Sequence, residues 1–217
     1  MKSNLFLRVI IFIATFFCGI TSYAAVLTAD NAVYWAEEKG RLLLDTFHEQ
    51  DINLRYQKLD ELFDEYIDVN YIAKFVVGKY WRSMSLDQQH KYLKVFERYL
   101  KALYKTFPLD FVQTLNYKVT DAFAEKDFVI VNVVINVQIM SDKPQEDMLL
   151  SFRLHNTHNG IKLVDIKVAE SSLLLSYRSK FYEQIAAVDG EIEWFLEDLE
   201  DMVNSANAHN QANISQK

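Results

Sequence analysis

His155 and His158 are spaced like two ligands of one metal ion, so metal chemistry is the first possibility to consider. The two histidines flank a turn expected at residues 156–160, and the sequence around them offers no carboxylate or third ligand. A stable metal site needs three or four ligands. The pattern therefore favours solvated turn histidines, and we expect neither a metal nor another cofactor.

Ser171 or Ser172 could act as a nucleophile if His90 and an aspartate completed a catalytic triad. The sequence contains no nucleophile elbow, no glycine-rich phosphate loop and no metalloprotease helix. A serine at the start of a predicted helix usually accepts a backbone hydrogen bond as its N-cap. Capping is therefore the favoured role for these two serines.

Asp165 could act as a base with Tyr117 or Tyr104 as the acid, a pairing that some NTF2-like isomerases hold inside a cone of sheet and helices. Asp165, however, falls on the polar side of its predicted strand, so we expect its side chain to face water or another element. A catalytic carboxylate has to point into the pocket. We therefore expect a protein that is not an enzyme, with the NTF2-like enzyme kept as an alternative.

The elements that would position these residues are helices in the first half of the chain, then strands, then helices again. Apolar residues at helical spacing predict helices at residues 28–47, 54–69 and 71–78, and from 171 to 187. Ser85 and Gln88 form a capping box that opens a long helix, which Pro108 ends. A last helix is predicted after Gly190.

Four strands are predicted at residues 112–122, 127–140, 146–156 and 161–168, with turns at Lys143 and Pro144 and at Asn159 and Gly160. Alternating apolar residues give these strands one apolar and one polar face. The predicted fold is α+β, with helices covering one face of a twisted four-stranded antiparallel sheet, and it is NTF2-like in part.

The N-terminus has the pattern of an export signal. Lys2 and Arg8 precede an apolar run at residues 9–20, which is short for a membrane span of about 20 residues. Small residues at Ser22 and Ala24 predict cleavage after Ala24, with an uncleaved anchor as the alternative. We therefore expect a signal peptide at residues 1–24, a single domain at 25–204 and a disordered polar tail at 205–217.

The composition limits the possible partners. The full chain carries a formal charge of −7, and loss of Lys2 and Arg8 with the signal would leave −9. Such a surface repels nucleic acid and anionic lipid headgroups, so no nucleic-acid partner is expected. The single cysteine lies within the predicted signal, so the mature domain has to be stable without a disulfide.

Two blocks of sequence resemble the MlaC family, also described as toluene-tolerance (Ttg2-type) auxiliary proteins. The first block combines Val164-Asp165-Ile166, Ala169-Glu170, Ser172-Leu173 and Arg178-Ser179-Lys180-Phe181. The second combines Gly78, Trp81 and Arg82, residues 85–89, Phe96, Leu100 and Tyr104. The resemblance spans residues 30–199. The chain departs from the family at Ser171, where a glycine is usual, so a positive backbone angle there would have to be avoided.

The resemblance implies a periplasmic phospholipid carrier that holds acyl chains between sheet and helices. It implies shuttling between an outer-membrane lipoprotein–porin complex and an inner-membrane ABC transporter with an MCE-domain ring, which maintains outer-membrane lipid asymmetry. A solid core and a carrier of another apolar ligand remain alternatives. The expected lipid-binding residues are Phe63, Ile67, Trp81, Phe96, Leu100, Leu103, Tyr104, Val133, Ile135, Leu150, Phe152, Val164, Ile166, Leu173 and Leu174. Arg178 and Lys180 are the expected partner or headgroup contacts.

Overall fold

The computed structural model describes residues 27–106, 116–137 and 146–215. The predicted signal peptide and the predicted turn at Lys143 and Pro144 lie outside the described residues. The described chain is an α+β fold, as predicted, in which helices pack around an antiparallel sheet that is not closed.

Helices form both ends of the described chain. They are α1 (Ala29–Phe47), α2 (Ile52–Tyr66), α3 (Val69–Val77), a 3₁₀ turn (Gly78–Arg82), α4 (Leu86–Lys105), α5 (Leu173–Ala187) and α6 (Ile192–Ser215). Five of these helices start at a residue whose side-chain oxygen accepts a first-turn N–H, which satisfies a donor that has no partner inside the helix. These residues are Thr28, Asp51, Asp68, Ser85 and Ser172. The predicted capping box of Ser85 and Gln88 is confirmed.

The sheet has five strands in sequence order, one more than predicted. They are β1 (Asn116–Glu125), β2 (Phe128–Val137), β3 (Glu146–Thr157), β4 (Gly160–Val168) and β5 (Ser171–Ser172). The additional strand is a two-residue segment that pairs with the end of β4 immediately before α5 begins. The register places Val131, Phe152 and Ile166 side by side on one face, which confirms the alternation read from the sequence.

The apolar residues form two separate cores. The sheet core lies where Ala32 and Ala36 of α1 pack on Val129, Val131 and Val133. The helical core joins α3, α4, α5 and α6, and its largest fully buried side chains are Tyr92, Phe96, Phe181 and Phe195. The two cores are distinct, and polar contacts between β4 and the start of α5 join them.

Helices also reach one corner of the second face of the sheet. Phe128 and Ile130 point away from α1, yet Ile130 is buried, and the ring of Phe128 lies 6.1 Å from that of Tyr71 in α3. The remainder of this face carries polar contacts such as the one that Asn132 donates to Asp121. The corner of this second face near α3 is therefore apolar, and only the remainder of the face is polar. The sequence had predicted that the whole face would be polar.

The last helix extends much further than predicted, because α6 continues to Ser215 where the sequence predicted disorder from Ser205. Asn210 lies in this extension, is 4% exposed, and donates to the carbonyl of Ala102 at 3.0 Å. That carbonyl is in the last turn of α4, where no helical N–H is available to it. The prediction of disorder rested on a composition poor in apolar residues. It is wrong for this segment, which is held by the polar contact of Asn210 at the end of α4.

We expect Asn210→Ala to lower the free energy of unfolding by about 1–2 kcal/mol, because it removes a buried hydrogen bond at the end of α4. Asn207→Ala is the matched control, since Asn207 lies on the exposed side of the same helix. Urea denaturation of both variants measures the difference. Equal stability of the two variants would mean that the extension of α6 contributes nothing through Asn210.

Candidate functional site

The apolar face of the sheet is only partly covered. We call the face that packs on α1 the inner face. Val129, Val131 and Val133 of β2 are buried on it, and so is Leu154. Several inner-face residues remain half-buried, and we call six of them the open region: Val119, Ile135, Leu150, Phe152, Ile166 and Val168. Half-buried apolar side chains in one contiguous patch are the kind of surface that a ligand or partner covers.

The register makes the open region contiguous. Leu150 lies between Val133 and Val168, and Phe152 lies between Val131 and Ile166. Val119 pairs with Val133 from the other side. Because residues directly opposite one another on adjacent strands share a face, all six side chains line the same side of the sheet. The sheet thus presents one apolar surface across four strands.

The structure brings together only part of the predicted lining. Val133, Ile135, Leu150 and Phe152 are in the sheet core, and Ile166 joins them through its pairing with Phe152. Five of the helical candidates pack in the helical core instead: Trp81, Phe96, Leu100, Leu103 and Leu174. Those five stay predictions as ligand contacts, and here their described neighbours are other helices.

The remaining candidates are scattered. Tyr104 packs with Leu59 in a small cluster between α2 and α4, and its ring lies 5.4 Å from that of Phe63. Ile67 forms a bridge to the backbone of β4. Val164 is buried, whereas Leu173 is 41% exposed.

Two residues of the open region, Val119 and Val168, were missed when the candidate lining was chosen from the sequence. The same alternation that gave Ile135 and Phe152 would have identified both. Trp35 of α1 was also missed, and it packs against the sheet core. Nothing in the sequence indicated that α1 would cover this face.

Tyr117 fixes the position of α1 over the sheet. Its hydroxyl donates to the carbonyl of Ala36 at 2.7 Å. Its ring lies directly on Gly40, where a Cβ atom would come within 2.6 Å of the ring. Burial raises the pKa of Tyr117, so the hydroxyl stays protonated as a donor. The absence of a side chain at Gly40 is what allows helix and strand to approach this closely.

Tyr104, the other tyrosine considered as an acid, is also held by a structural partner. It donates to Asp60, whose other oxygen lies 2.7 Å from the ammonium of Lys105. Burial, and then the hydrogen bond to Asp60, raise the pKa of Tyr104. Neither tyrosine therefore pairs with Asp165 in the arrangement that the NTF2-like alternative required.

Asp165 instead joins the sheet to the helical core. It is 6% exposed and accepts hydrogen bonds from the Ser172 hydroxyl at 2.7 Å and from the N–H of Leu174 at 3.0 Å. Ser172 in turn accepts from the N–H of Leu175, as an N-cap does. The sequence predicted that Asp165 would face either water or another element. It faces another element, the start of α5. The hydroxyl of Ser172 donates to a carboxylate, and the predicted capping role is confirmed.

The turn before this joint takes a positive backbone angle at Ala169, with φ of 52°, and not at Ser171. Ser171 lies in β5 and pairs with Val168. The serine that replaces the usual glycine is therefore in extended backbone, which any residue adopts. The residue with the positive backbone angle lies two positions earlier.

The two blocks of sequence that carry the family resemblance meet in space. Gly78 has φ of +48°, and a Cβ atom there would lie 2.7 Å from the guanidinium of Arg178. The N–H of Lys79 donates to the Tyr182 hydroxyl at 3.0 Å. Glycine is thus required at residue 78 both by its backbone angle and by the side chains of α5 packed against it.

Arg178 and Lys180 lie on different sides of α5. Arg178 donates to the carbonyl of Phe75 at 3.3 Å, near the end of α3, and its guanidinium lies 4.9 Å from the Phe75 ring. Lys180 reaches the Tyr99 hydroxyl at 3.3 Å. The two predicted contacts therefore do not form one cation site, and each stays a separate proposal.

The two histidines differ in their surroundings. His155 lies within β3, half-buried, with Nε2 at 2.9 Å from a carboxylate oxygen of Asp68 and its ring 5.3 Å from Tyr71. His158 is exposed in the β3–β4 turn. The prediction of a solvated histidine is therefore correct for His158 and wrong for His155. Residues 27–106, 116–137 and 146–215 contain no group of three side chains placed to hold a metal ion.

A surface groove of about 330 Å³ lies between α1, the end of α2 and the β3–β4 turn. Trp35 and Tyr66 line it, with their rings 5.7 Å apart. The Lys39 ammonium lies 4.6 Å from the centre of the Tyr66 ring and 3.0 Å from Glu38. Lys39 thus already contacts one ring and one carboxylate of this groove.

We expect Asp165→Ala to lower the free energy of unfolding by about 2–3 kcal/mol, since it leaves two buried donors without an acceptor. A double-mutant cycle with Ser172→Ala, measured by urea denaturation, should show coupling between the two positions. Asp201→Ala on the exposed side of α6 is the control and should change stability by less than about 0.5 kcal/mol. Additive effects of Asp165→Ala and Ser172→Ala would contradict the proposed joint.

Comparison with known proteins identifies the family. The described residues include no helix long and apolar enough to span a membrane. The fold resembles the phospholipid-binding protein from Ralstonia solanacearum, solved in complex with a phospholipid, with a TM-score of 0.66 at 20% identity over 81% of this chain and 98% of that chain. Comparison with curated proteins gives no match. The family profile of the MlaC protein matches residues 43–201. The resemblance inferred from sequence is thus confirmed, and the chain belongs to the MlaC family.

Proposed function

We propose that this protein binds a phospholipid through the open region of the inner face and carries it between membranes. The observation that carries the proposal is the half-buried apolar surface formed by Ile135, Leu150, Phe152 and Ile166 in a member of the MlaC family. The similar fold from Ralstonia solanacearum is described as phospholipid-binding, which supports the same ligand class here.

The energetics of lipid transfer explain why a carrier is needed. Exposing one methylene to water costs about 0.8 kcal/mol, so two long acyl chains cost on the order of 20 kcal/mol. Spontaneous transfer through water is therefore very slow. A carrier has to cover most of both chains with apolar side chains and keep the headgroup in water, so we place the acyl chains along the open region.

The proposed lining is narrower than the one predicted from sequence. It centres on the open region, Val119, Ile135, Leu150, Phe152, Ile166 and Val168, with Val133 beneath it. The helical candidates Phe63, Ile67, Trp81, Phe96, Leu100, Leu103, Tyr104, Leu173 and Leu174, together with buried Val164, remain proposed lipid contacts apart from the open region. Arg178 and Lys180 remain proposed contacts for a partner or headgroup.

We further propose that the mature protein, a lipid-binding domain from residue 25 onward, acts in the periplasm after cleavage at Ala24. Its partners would be an outer-membrane lipoprotein–porin complex and an inner-membrane ABC transporter with an MCE-domain ring, and its role would be to maintain outer-membrane lipid asymmetry. No ATP-binding motif occurs in the sequence, so the energy for directional transport has to come from the transporter. The net charge of −7 disfavours nucleic acid as a partner.

The hydrogen bonds of the polar groups that were considered for catalysis favour a binding protein. Both oxygens of Asp165 accept hydrogen bonds from the start of α5, and Tyr117 donates to a backbone carbonyl. An enzyme needs a titratable group that is free to act inside the pocket. These residues are occupied by structural partners, which favours a carrier over the NTF2-like enzyme.

We expect Phe152→Glu to abolish binding of phospholipid, because it places a carboxylate in the middle of the open region. Phe123→Glu is the matched control, since Phe123 pairs with Ile130 on the second face and is 47% exposed. Uptake of fluorescent phospholipid from vesicles by each purified variant measures the difference.

The wild-type protein and Phe123→Glu should both take up lipid, whereas Phe152→Glu should remain folded and empty. Circular dichroism melting of each variant confirms that it is folded. If a folded Phe152→Glu variant retains lipid, the inner face is not the binding surface. Uptake of a sterol or another apolar probe in place of phospholipid would favour a carrier of a different ligand.

A further inference from the structure

Four cations gather at one corner of an otherwise acidic protein. Lys74 lies in the last turn of α3, Lys79 and Arg82 lie in the 3₁₀ turn, and Arg178 lies on α5. The first three side chains are exposed and Arg178 is half-buried. We call these four residues, together with the rings of Tyr80, Trp81 and Tyr182, the cationic corner.

Aromatic rings lie close to three of these cations, Lys74, Lys79 and Arg178. The Lys74 ammonium lies 5.4 Å from the centre of the Trp81 ring, and that of Lys79 lies 4.9 Å from the ring of Tyr80. The Arg178 guanidinium lies 5.1 Å from the ring of Tyr182. Contacts of this kind hold the cations in place but leave their positive charge uncompensated.

The ion pairs of lysine and arginine in the described residues lie outside the cationic corner. Seven lysines and arginines form them: Lys39, Lys58, Lys91, Arg98, Lys101, Lys105 and Arg153. Across residues 27–106, 116–137 and 146–215, none of the four cations of the corner is part of an ion pair. With 30 acidic residues against 23 basic ones in the chain, carboxylates are plentiful, yet no described carboxylate lies within ion-pair distance of these four side chains.

The composition of the corner matches a protein interface. Tyrosine, tryptophan and arginine are the residues most enriched among those that contribute most to binding energy. Tyr80, Trp81, Arg82 and Tyr182 are at least partly accessible. The backbone beneath them is fixed by the hydrogen bond from Lys79 to Tyr182, which lowers the entropy cost of ordering this surface on binding.

We propose that the cationic corner docks an acidic segment of a partner protein. Screening limits charge interactions to about 8 Å at physiological ionic strength. A short acidic segment bound there would therefore interact mainly with the positive charges of the cationic corner. An extended anionic bilayer would also face the carboxylates around it, in a chain whose net charge is −7. This difference favours a protein segment over a lipid surface. The cationic corner shares no residue with the open region, so the proposal does not depend on lipid binding at the inner face.

The test measures binding of a fluorescein-labelled oligoglutamate peptide by anisotropy, at low and at physiological salt. The double variant Lys79→Glu/Arg82→Glu should weaken the affinity by about tenfold or more at low salt. The control is Lys118→Glu/Lys126→Glu, which makes the same change in net charge at exposed positions of β1 and the β1–β2 turn. The control should bind the peptide like the wild-type protein, apart from the small effect of net charge.

Sedimentation with vesicles that contain phosphatidylglycerol tests the alternative, in which the corner binds an anionic lipid surface. The proposal is supported if the peptide binds, the corner variant loses binding and the control keeps it. It is overturned if neither probe binds, if both double variants lose the peptide equally, or if vesicles bind and the peptide does not. Thermal melting of both variants verifies that each is folded.

Discussion

The buried carboxylate of Asp165 is the contact on which the arrangement of the molecule depends. The protein has a sheet core and a separate helical core, and Asp165 of β4 accepts hydrogen bonds from Ser172 and from the backbone of Leu174 at the start of α5. Two donors that would otherwise be buried without partners are satisfied by this one side chain. The carboxylate therefore ties the start of α5 to β4.

This division into two cores makes an apolar site at the sheet possible. The helical core is stable through its own packing, with Phe96, Phe181 and Phe195 fully buried. The helices therefore do not need to cover the whole inner face, and α1 packs on it through Ala32 and Ala36. Gly40 lets α1 approach β1 closely at Tyr117. On β3, Leu150 and Phe152 remain half-buried, which is the surface that we assign to acyl chains.

The structural features that depend on residues close together in the sequence could be predicted. The capping box at Ser85, the alternation of β2 and β3, and the α+β class all follow from residues near one another in the chain. The failures involve partners that are distant in sequence. His155 is paired with Asp68, which precedes it by 87 residues, and Asn210 caps a helix that ends 105 residues earlier.

The choice of candidate lining shows the same limit. Alternation within the strands identified Ile135, Leu150, Phe152 and Ile166 correctly as inner-face residues. Helical periodicity identified Phe96 and Trp81 as apolar, but it could not tell whether they face the sheet or other helices, since each helix has apolar residues on more than one side. Only the packing of α4 against α6 resolves this, and it places Phe96 in the helical core.

Mass spectrometry of an organic extract from the mature protein, purified without detergent after export, tests the central claim most directly. The account predicts co-purified phospholipid at a stoichiometric ratio to the protein, because an uncovered apolar inner face would otherwise be exposed to water. An extract free of phospholipid, together with no uptake from vesicles, would show that the open region is only an incompletely packed core and would contradict the account.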